Sequence, residues 1–127
     1  MKYIPVSYGE MIDKYTILLI KERKISDINK LLNIRKELLF IVTIINEELL
    51  FNILSDEIEK LKQINETLWE IEDMLREKES NKEFDNEFIE LARSVYKTND
   101  NRFEIKNKIN NKTNSDIKEE KSYKKYQ

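Results

Sequence analysis

The chain predicts an all-α fold: an antiparallel helical bundle or pair of helical hairpins, about four helices in all. A short extended N-terminus precedes it and a flexible charged C-terminal tail follows. Three observations predict this. Glycine and proline occur once each in 127 residues, as Gly9 and Pro5, so no strong breaker stands from Glu10 onward. Apolar residues recur at helical spacing in four long stretches. Between those stretches lie Asn, Asp and Ser, the residues that turn and cap helices. One domain is expected, residues 1–112, followed by a tail over 113–127.

The elements follow in order. Residues 2–6 read as extended, because Pro5 biases Ile4 toward the β region. Ser7 and Glu10 have capping-box spacing, with Glu10 expected to return to the Ser7 N–H. Helix 1 is predicted over about 8–25, with Met11, Tyr15, Leu18 and Leu19 on one stripe and Ile12 beside it. Ser26 and Asp27 end it and cap helix 2, predicted over about 28–50. Leu38 to Ile45 has only Thr43 as a polar member. That segment is expected either as central core or as a seam with a second chain. A break is expected at 51–55, with Ser55 capping helix 3. Without it, helices 2 and 3 would form one rod of about 75 Å.

Helix 3, about 56–79, carries Ile58, Leu61, Ile64, Leu68, Ile71 and Leu75 at an interval near 3.5, the period of a bundle or coiled-coil seam. It also holds the only Trp, Trp69, beside Asn65, Glu72, Asp73 and Arg76, and the rest of the chain is expected to be organised around it. Helix 4 is predicted over about 86–111, with Asp85 as its cap. Its stripe starts apolar (Phe88, Leu91, Ala92, Val95) and continues through Asn99, Arg102, Lys106 and Ile109 or Asn110. Such a stripe either leaves the core or enters a polar interior. Folding helix 4 back on helix 3 would set Glu72 near Arg93 and Asn65 near Asn99 and Asp100. The tail holds Ile117, Tyr123 and Tyr126 for docking.

The totals exclude several chemistries. Without Cys or His there are no disulfides, thiolate or imidazole metal ligands, and no Cys or His catalysis. No apolar run reaches the roughly 18 residues of a membrane span, and no leader pattern opens the chain, so a cytoplasmic location is expected. Net charge is −2, distributed unevenly: 8 basic and 7 acidic residues in 1–55, 5 and 13 in 56–90, 10 and 5 in 91–127. An acidic helix 3 paired with a basic helix 4 explains that asymmetry. Nucleic-acid binding is not expected, since acids interrupt the basic third. Lys outnumbers Arg 18 to 5, which singles out the planar donors Arg23, Arg35, Arg76, Arg93 and Arg102.

Several fragments together resemble one known family. They are Pro5-Val-Ser-Tyr-Gly-Glu10, Ile12-Asp-Lys14, Thr16-Ile-Leu18 with Lys21, Arg35-Lys-Glu-Leu38, Asn65 with Leu68-Trp-Glu-Ile-Glu-Asp73 and Arg76, Phe88 to Tyr96 with Thr98-Asn-Asp100, and Glu119 to Tyr123. They are similar to a small bacterial helical family of unknown function, marked by SYGE, LWxIED and LARSVYxTND motifs. The resemblance spans nearly the whole chain. It implies a compact helical bacterial protein, sometimes encoded near or fused to glycan-assembly functions, and implies no activity.

Three functional classes stand open. The first is an interaction or accessory protein, linked through the resemblance to cell-surface glycan assembly, with a polar seam between helices. It carries the expectation of a homodimer or protein partner through Leu38, Leu39, Ile41, Val42 and Ile45. The second is a binding module for an anionic small molecule such as a nucleotide sugar. Lys14, Arg76, Arg93 and Arg102 would neutralise phosphate, Trp69 or Tyr96 would stack, and Gly9 would let the helix 1 N-terminus approach the anion. The third is a Mg-dependent nucleotide-hydrolysing enzyme, with Glu10/Asp13 and Glu70/Asp73 as carboxylate pairs on helix faces. No cofactor is expected outside that reading. Across all three, the candidate binding residues are Glu10, Asp13, Lys14, Arg35, Asn65, Trp69, Glu72, Asp73, Arg76, Arg93, Tyr96, Asn99, Asp100 and Arg102.

Overall fold

The structure, a computed structural model, describes residues 1–126. Five helices follow one another: α1 (Tyr8–Lys24), α2 (Ile28–Glu47), α3 (Leu50–Ile53), α4 (Ser55–Ser80) and α5 (Asn86–Lys112). No strand occurs among the described residues.

Helix starts follow the capping chemistry in the sequence. Ser7 Oγ accepts from Glu10 N at 3.0 Å, Asp27 Oδ1 from Lys30 N at 2.9 Å, and Asp85 Oδ1 from Phe88 N at 2.9 Å. The capping box itself does not close, because the Glu10 carboxylate turns away to the Lys106 ammonium, 2.8 Å off. A charged partner outcompetes a neutral N–H at that distance.

The chain breaks twice between the second and third long helices, once ahead of 51–55 and once inside it, at Leu54. Glu48 leaves helical geometry and Leu49 takes the left-handed conformation with φ 56°. One short turn, α3, follows, and the chain bends again at Leu54. Ser55 is the first residue of α4 and not its cap; the capping position is Leu54, which makes no side-chain cap bond.

α1 is the hub. It packs on α2 along one side and on both α4 and α5 along the other, while α4 and α5 form the most extensive helix pair. The core is built where these meet: Ile12, Ile45, Leu54, Leu61 and Ile109 are fully buried, with Leu18, Ile34, Ile41, Leu50 and Ile105 around them. Each such aliphatic side chain contributes about 1.5–3 kcal/mol by leaving water.

α2 is not central. Among the described helices, its backbone comes close only to α1 and α3. Its inner stripe, Ile34, Ile41 and Ile45, belongs to the core, so Ile41 and Ile45 do not form an outward seam. Leu38 packs against that core, Val42 is half-buried, and Leu39, Phe40 and Ile44 face outward. Too many apolar residues for one narrow stripe therefore means one buried stripe and one bare one.

Beyond Ile71 the α4–α5 hairpin runs past the core as a two-helix arm. Its tip is closed by an edge-on Phe84–Phe88 pair and by Lys78, whose ammonium lies within 4.0 Å of Glu83, Asp85 and Glu87. After α5, Asn114 is left-handed (φ 53°), and residues 115–126 return along α5. No helix among the described residues is long and apolar enough to cross a membrane.

Candidate functional site

A polar seam runs through the interior, and its walls are α1 and α5. Asp13 is 1% exposed, one turn into α1. Arg102 reaches it from α5: Nε donates to Oδ1 at 2.9 Å and Nη2 donates to Oδ2. This is the fork-on-carboxylate geometry only an arginine supplies. α4 contributes Asn65, whose Nδ2 donates to Asp13 Oδ1 and to Thr16 Oγ1, both at 2.9 Å. Thr16 Oγ1 in turn donates to the Asp13 backbone carbonyl at 2.8 Å. The Asp13 carboxylate holds the Arg102 guanidinium above its ordinary pKa.

One turn further along α5, Lys106 is buried with its ammonium 2.8 Å from Glu10 Oε2, 2.9 Å from Glu119 Oε1 and 4.0 Å from Asp13 Oδ2. Burial pulls that ammonium down. The surrounding carboxylates outweigh burial and leave its pKa above the ordinary lysine value. Glu119 Oε1 is itself buried and makes no hydrogen bond of good geometry, so the Lys106 charge is what compensates it.

A turn further still, α5 meets the start of α1. Gly9 N donates to Asn110 Oδ1 at 2.7 Å, and Tyr8 N donates to Ser115 Oγ at 3.2 Å. A Cβ on Gly9 would lie 2.6 Å from the Lys106 carbonyl oxygen. The close approach that Gly9 permits is thus that of α5 itself. The α1 N-terminus is filled by Asn110 and Ser115, not offered to an anion.

Beside the seam lies an open groove of about 370 Å³. Ile17, Ile20 and Leu68 form its apolar side, Asn65 and Arg102 belong to the seam, and Trp69, Glu72, Asp73 and Arg76 complete it. A second cavity, about 630 Å³, lies between α5 and the returning tail, lined by Val95, Tyr96, Asn99, Asp100, Lys121, Tyr123, Lys124 and Tyr126. Tyr96 and Tyr126 meet edge-on there, and a hydrogen bond to Asp100 holds the Tyr126 phenol above its ordinary pKa.

Of the residues expected to act together, the structure gathers Glu10, Asp13, Asn65 and Arg102 in the seam. Trp69, Glu72, Asp73 and Arg76 lie along the groove, and Tyr96, Asn99 and Asp100 at the tail cavity. The others stand apart. Lys14 pairs with Glu37 at 3.3 Å, Arg35 with Glu22 at 3.3 Å and Arg93 with Glu90 at 2.8 Å, all near the surface. Glu72 pairs with Arg76 on its own helix at 3.9 Å and not with Arg93. Asn65 bonds to Asp13 and Thr16 and not to Asn99 or Asp100.

Among the described residues, the expected pairing of an acidic α4 with a basic α5 is realised only at Glu57–Lys112, 2.8 Å. α1 inserts against both helices and takes the α5 cations for its own acids. The four cations expected to neutralise a phosphate do not converge either. Glu70 is exposed, and among the described residues no three acids cluster closely enough to hold a metal ion. Lys106, Asn110, Thr16 and Glu119 were not among the expected site residues. The first two stand on the α5 stripe that turns polar halfway, the signal that marks them.

The profile of a Family of unknown function (DUF6165) matches residues 1–126, and the chain belongs to that family. Comparison with curated proteins and with solved structures gives no match.

Proposed function

We propose that this family member is an accessory protein that binds a polyhydroxylated ligand, a sugar ring, in the groove beside the Asp13–Arg102 pair. The carrying observation is the composition of that groove. An anion needs donors and is repelled by carboxylates. A sugar hydroxyl donates and accepts at once, so it needs both kinds of partner side by side. Glu72 and Asp73 supply acceptors and Arg76 and Arg102 supply donors; Asn65 can add only its carbonyl oxygen, since both its N–H donors go to Asp13 and Thr16. Trp69 offers an aromatic surface for the C–H face of the ring, next to the apolar wall of Ile17, Ile20 and Leu68. The volume, about 370 Å³, falls at the small end of ligand sites and suits one or two rings. Arg102 and Asn65 are held by Asp13 before any ligand arrives, which reduces the ordering cost of binding. The implied link to glycan assembly agrees with this ligand class.

Trp69 is the only tryptophan, so the site carries its own reporter. Neutral hexoses, N-acetylhexosamines and their short oligomers are titrated while Trp69 emission is followed, with inorganic phosphate as the control. A saturable change with a sugar, lost in Asp73→Asn/Glu72→Gln, supports the reading. A silent sugar panel, or a response to phosphate alone, overturns it.

A second reading rests on a different observation. α2 leaves Leu39, Phe40 and Ile44 exposed, with Leu39 67% accessible. An apolar stripe on one helix favours association with a protein partner. Phe40→Ser/Leu39→Lys should then abolish any self-association seen by sedimentation without loss of helicity.

A further inference from the structure

We propose a second binding site, for a nucleoside phosphate, in the cavity between α5 and the returning C-terminal segment. It does not rest on the sugar reading of the Trp69 groove.

The cavity combines the two features such a ligand requires. The first is aromatic surface. Tyr96 stands on α5, and Tyr123 and Tyr126 come from the tail. The Tyr96–Tyr126 contact is edge-on, with centroids 5.0 Å apart and planes at 85°, which leaves a face of each ring unstacked against the other. Tyr123 is 76% exposed and makes no ring–ring contact among the described residues. Planar bases stack on such rings with little dependence on their identity.

The second feature is cationic charge. Lys121 and Lys124 line the cavity, against Asp100 as the single acid. Asp100 lies close enough to Tyr126 to hold that phenol above its ordinary pKa. Lys121 is held over the Phe103 and Tyr123 rings, 5.3 and 5.2 Å from their centroids. An ammonium resting on ring faces retains N–H donors for phosphate oxygens. Neither lysine forms an ion pair among the described residues, in contrast to Lys106 next door with its three carboxylates. The charge surplus of this region therefore lies in this cavity and not in the seam.

Size and construction agree. About 630 Å³ is mid-range for a small-molecule site and exceeds the Trp69 groove. The tail that forms its second wall is tied at both ends. Ser115 Oγ accepts from Tyr8 N and donates to the Ile117 carbonyl, Glu119 is fixed on Lys106, and Tyr126 rests on Tyr96. An acidic peptide would satisfy the lysines but leave three phenol rings without a planar partner. A neutral sugar would leave the lysines without charge.

The test uses the full chain and four probes: ADP, UDP, adenosine and inorganic phosphate, followed by amide and tyrosine-ring NMR shifts. ADP or UDP should saturably move resonances of residues 95–100 and 121–126. Lys121→Glu/Lys124→Glu, two surface changes, should weaken that binding about tenfold or more. Tyr96→Leu should weaken it about tenfold for the nucleotide, by loss of stacking, and leave phosphate unaffected. Trp69→Ala should change nothing, which separates this site from the groove. Circular dichroism confirms that each variant keeps its helices. The proposal is overturned if no nucleotide moves these resonances, if phosphate alone binds as tightly as the nucleotide, or if the lysine and tyrosine variants, folded, bind as the native chain does.

Discussion

Removing Arg102 should harm the fold more than removing the charge of Asp13, although the two form one pair. Arg102→Met leaves a carboxylate that is 1% exposed, with Asn65 as its remaining side-chain donor and Lys106 4.0 Å away. Breaking a buried ion pair from one side costs about 3–5 kcal/mol, and so deep a carboxylate puts this variant at the upper end. Asp13→Asn leaves the guanidinium instead. That group is 27% exposed and retains the Asn99 Oδ1 at 3.5 Å, so water and Asn99 take up part of the loss, and about 2–3 kcal/mol is expected. Against a total stability of about 5–15 kcal/mol, Arg102→Met should bring the fold near its threshold. The double variant should cost less than the sum of the two, by about 2 kcal/mol or more, because neither half is then left unpaired. Urea unfolding followed by far-UV circular dichroism measures all three. If Asp13→Asn is the worse single variant, or if the coupling is below about 0.5 kcal/mol, the pair behaves as a solvated surface contact and the interior seam is wrongly described.

Gly9→Ala in a helix ordinarily stabilises by about 1 kcal/mol, but here the new Cβ meets the Lys106 carbonyl at 2.6 Å, so a loss of about 1–3 kcal/mol should appear in the thermal midpoint. Lys106 has a folded-state pKa above its ordinary 10.5, so it holds its proton more tightly folded than unfolded. Its contribution is complete below that value and lost as pH rises through the folded pKa, and Lys106→Gln should flatten the fall of the urea midpoint on the alkaline side. Asp85 has the opposite sense. The Phe88 N–H and the Lys78 ammonium lower its pKa, so its contribution is present above the ordinary carboxylate range and lost as pH falls through the depressed value. Asp85→Ala should therefore flatten the acid limb and shorten protection of the α5 first turn in hydrogen exchange.

Helix content was legible because it is local. Ser7, Asp27 and Asp85 declare helix starts through their own side chains, and the absence of Gly and Pro after Glu10 leaves the periodic pattern uninterrupted. The polar half of α5 was legible as a seam for a similar reason: a stripe that keeps its phase while changing its chemistry stays inside. What the seam faces was not legible. Neighbouring helices invite a local pairing of α4 acids with α5 bases, yet Arg102 takes a partner 89 positions away, on a helix whose packing against both of them no short-range pattern encodes. Glu10 misled for the same reason, since its spacing to Ser7 is that of a cap while its real partner is on α5. The break inside 51–55 is made at Leu54, but the second one, before α3, was not legible, because it is made at Leu49, a residue that ordinarily avoids left-handed backbone, with no glycine to announce it.

The bond from the Tyr8 amide to the Ser115 hydroxyl joins residues 107 positions apart, at the two ends of the helical part of the chain. Topologically the bundle is a ring with a gap. Closing that contact carries nearly the largest loop-closure entropy the chain offers. A short bridge from 115 to 7 would close the ring permanently. New termini opened at the exposed turn after Ser80 would then reorder the chain without disturbing the α1–α5 contacts that hold Asp13, Arg102 and Lys106 together.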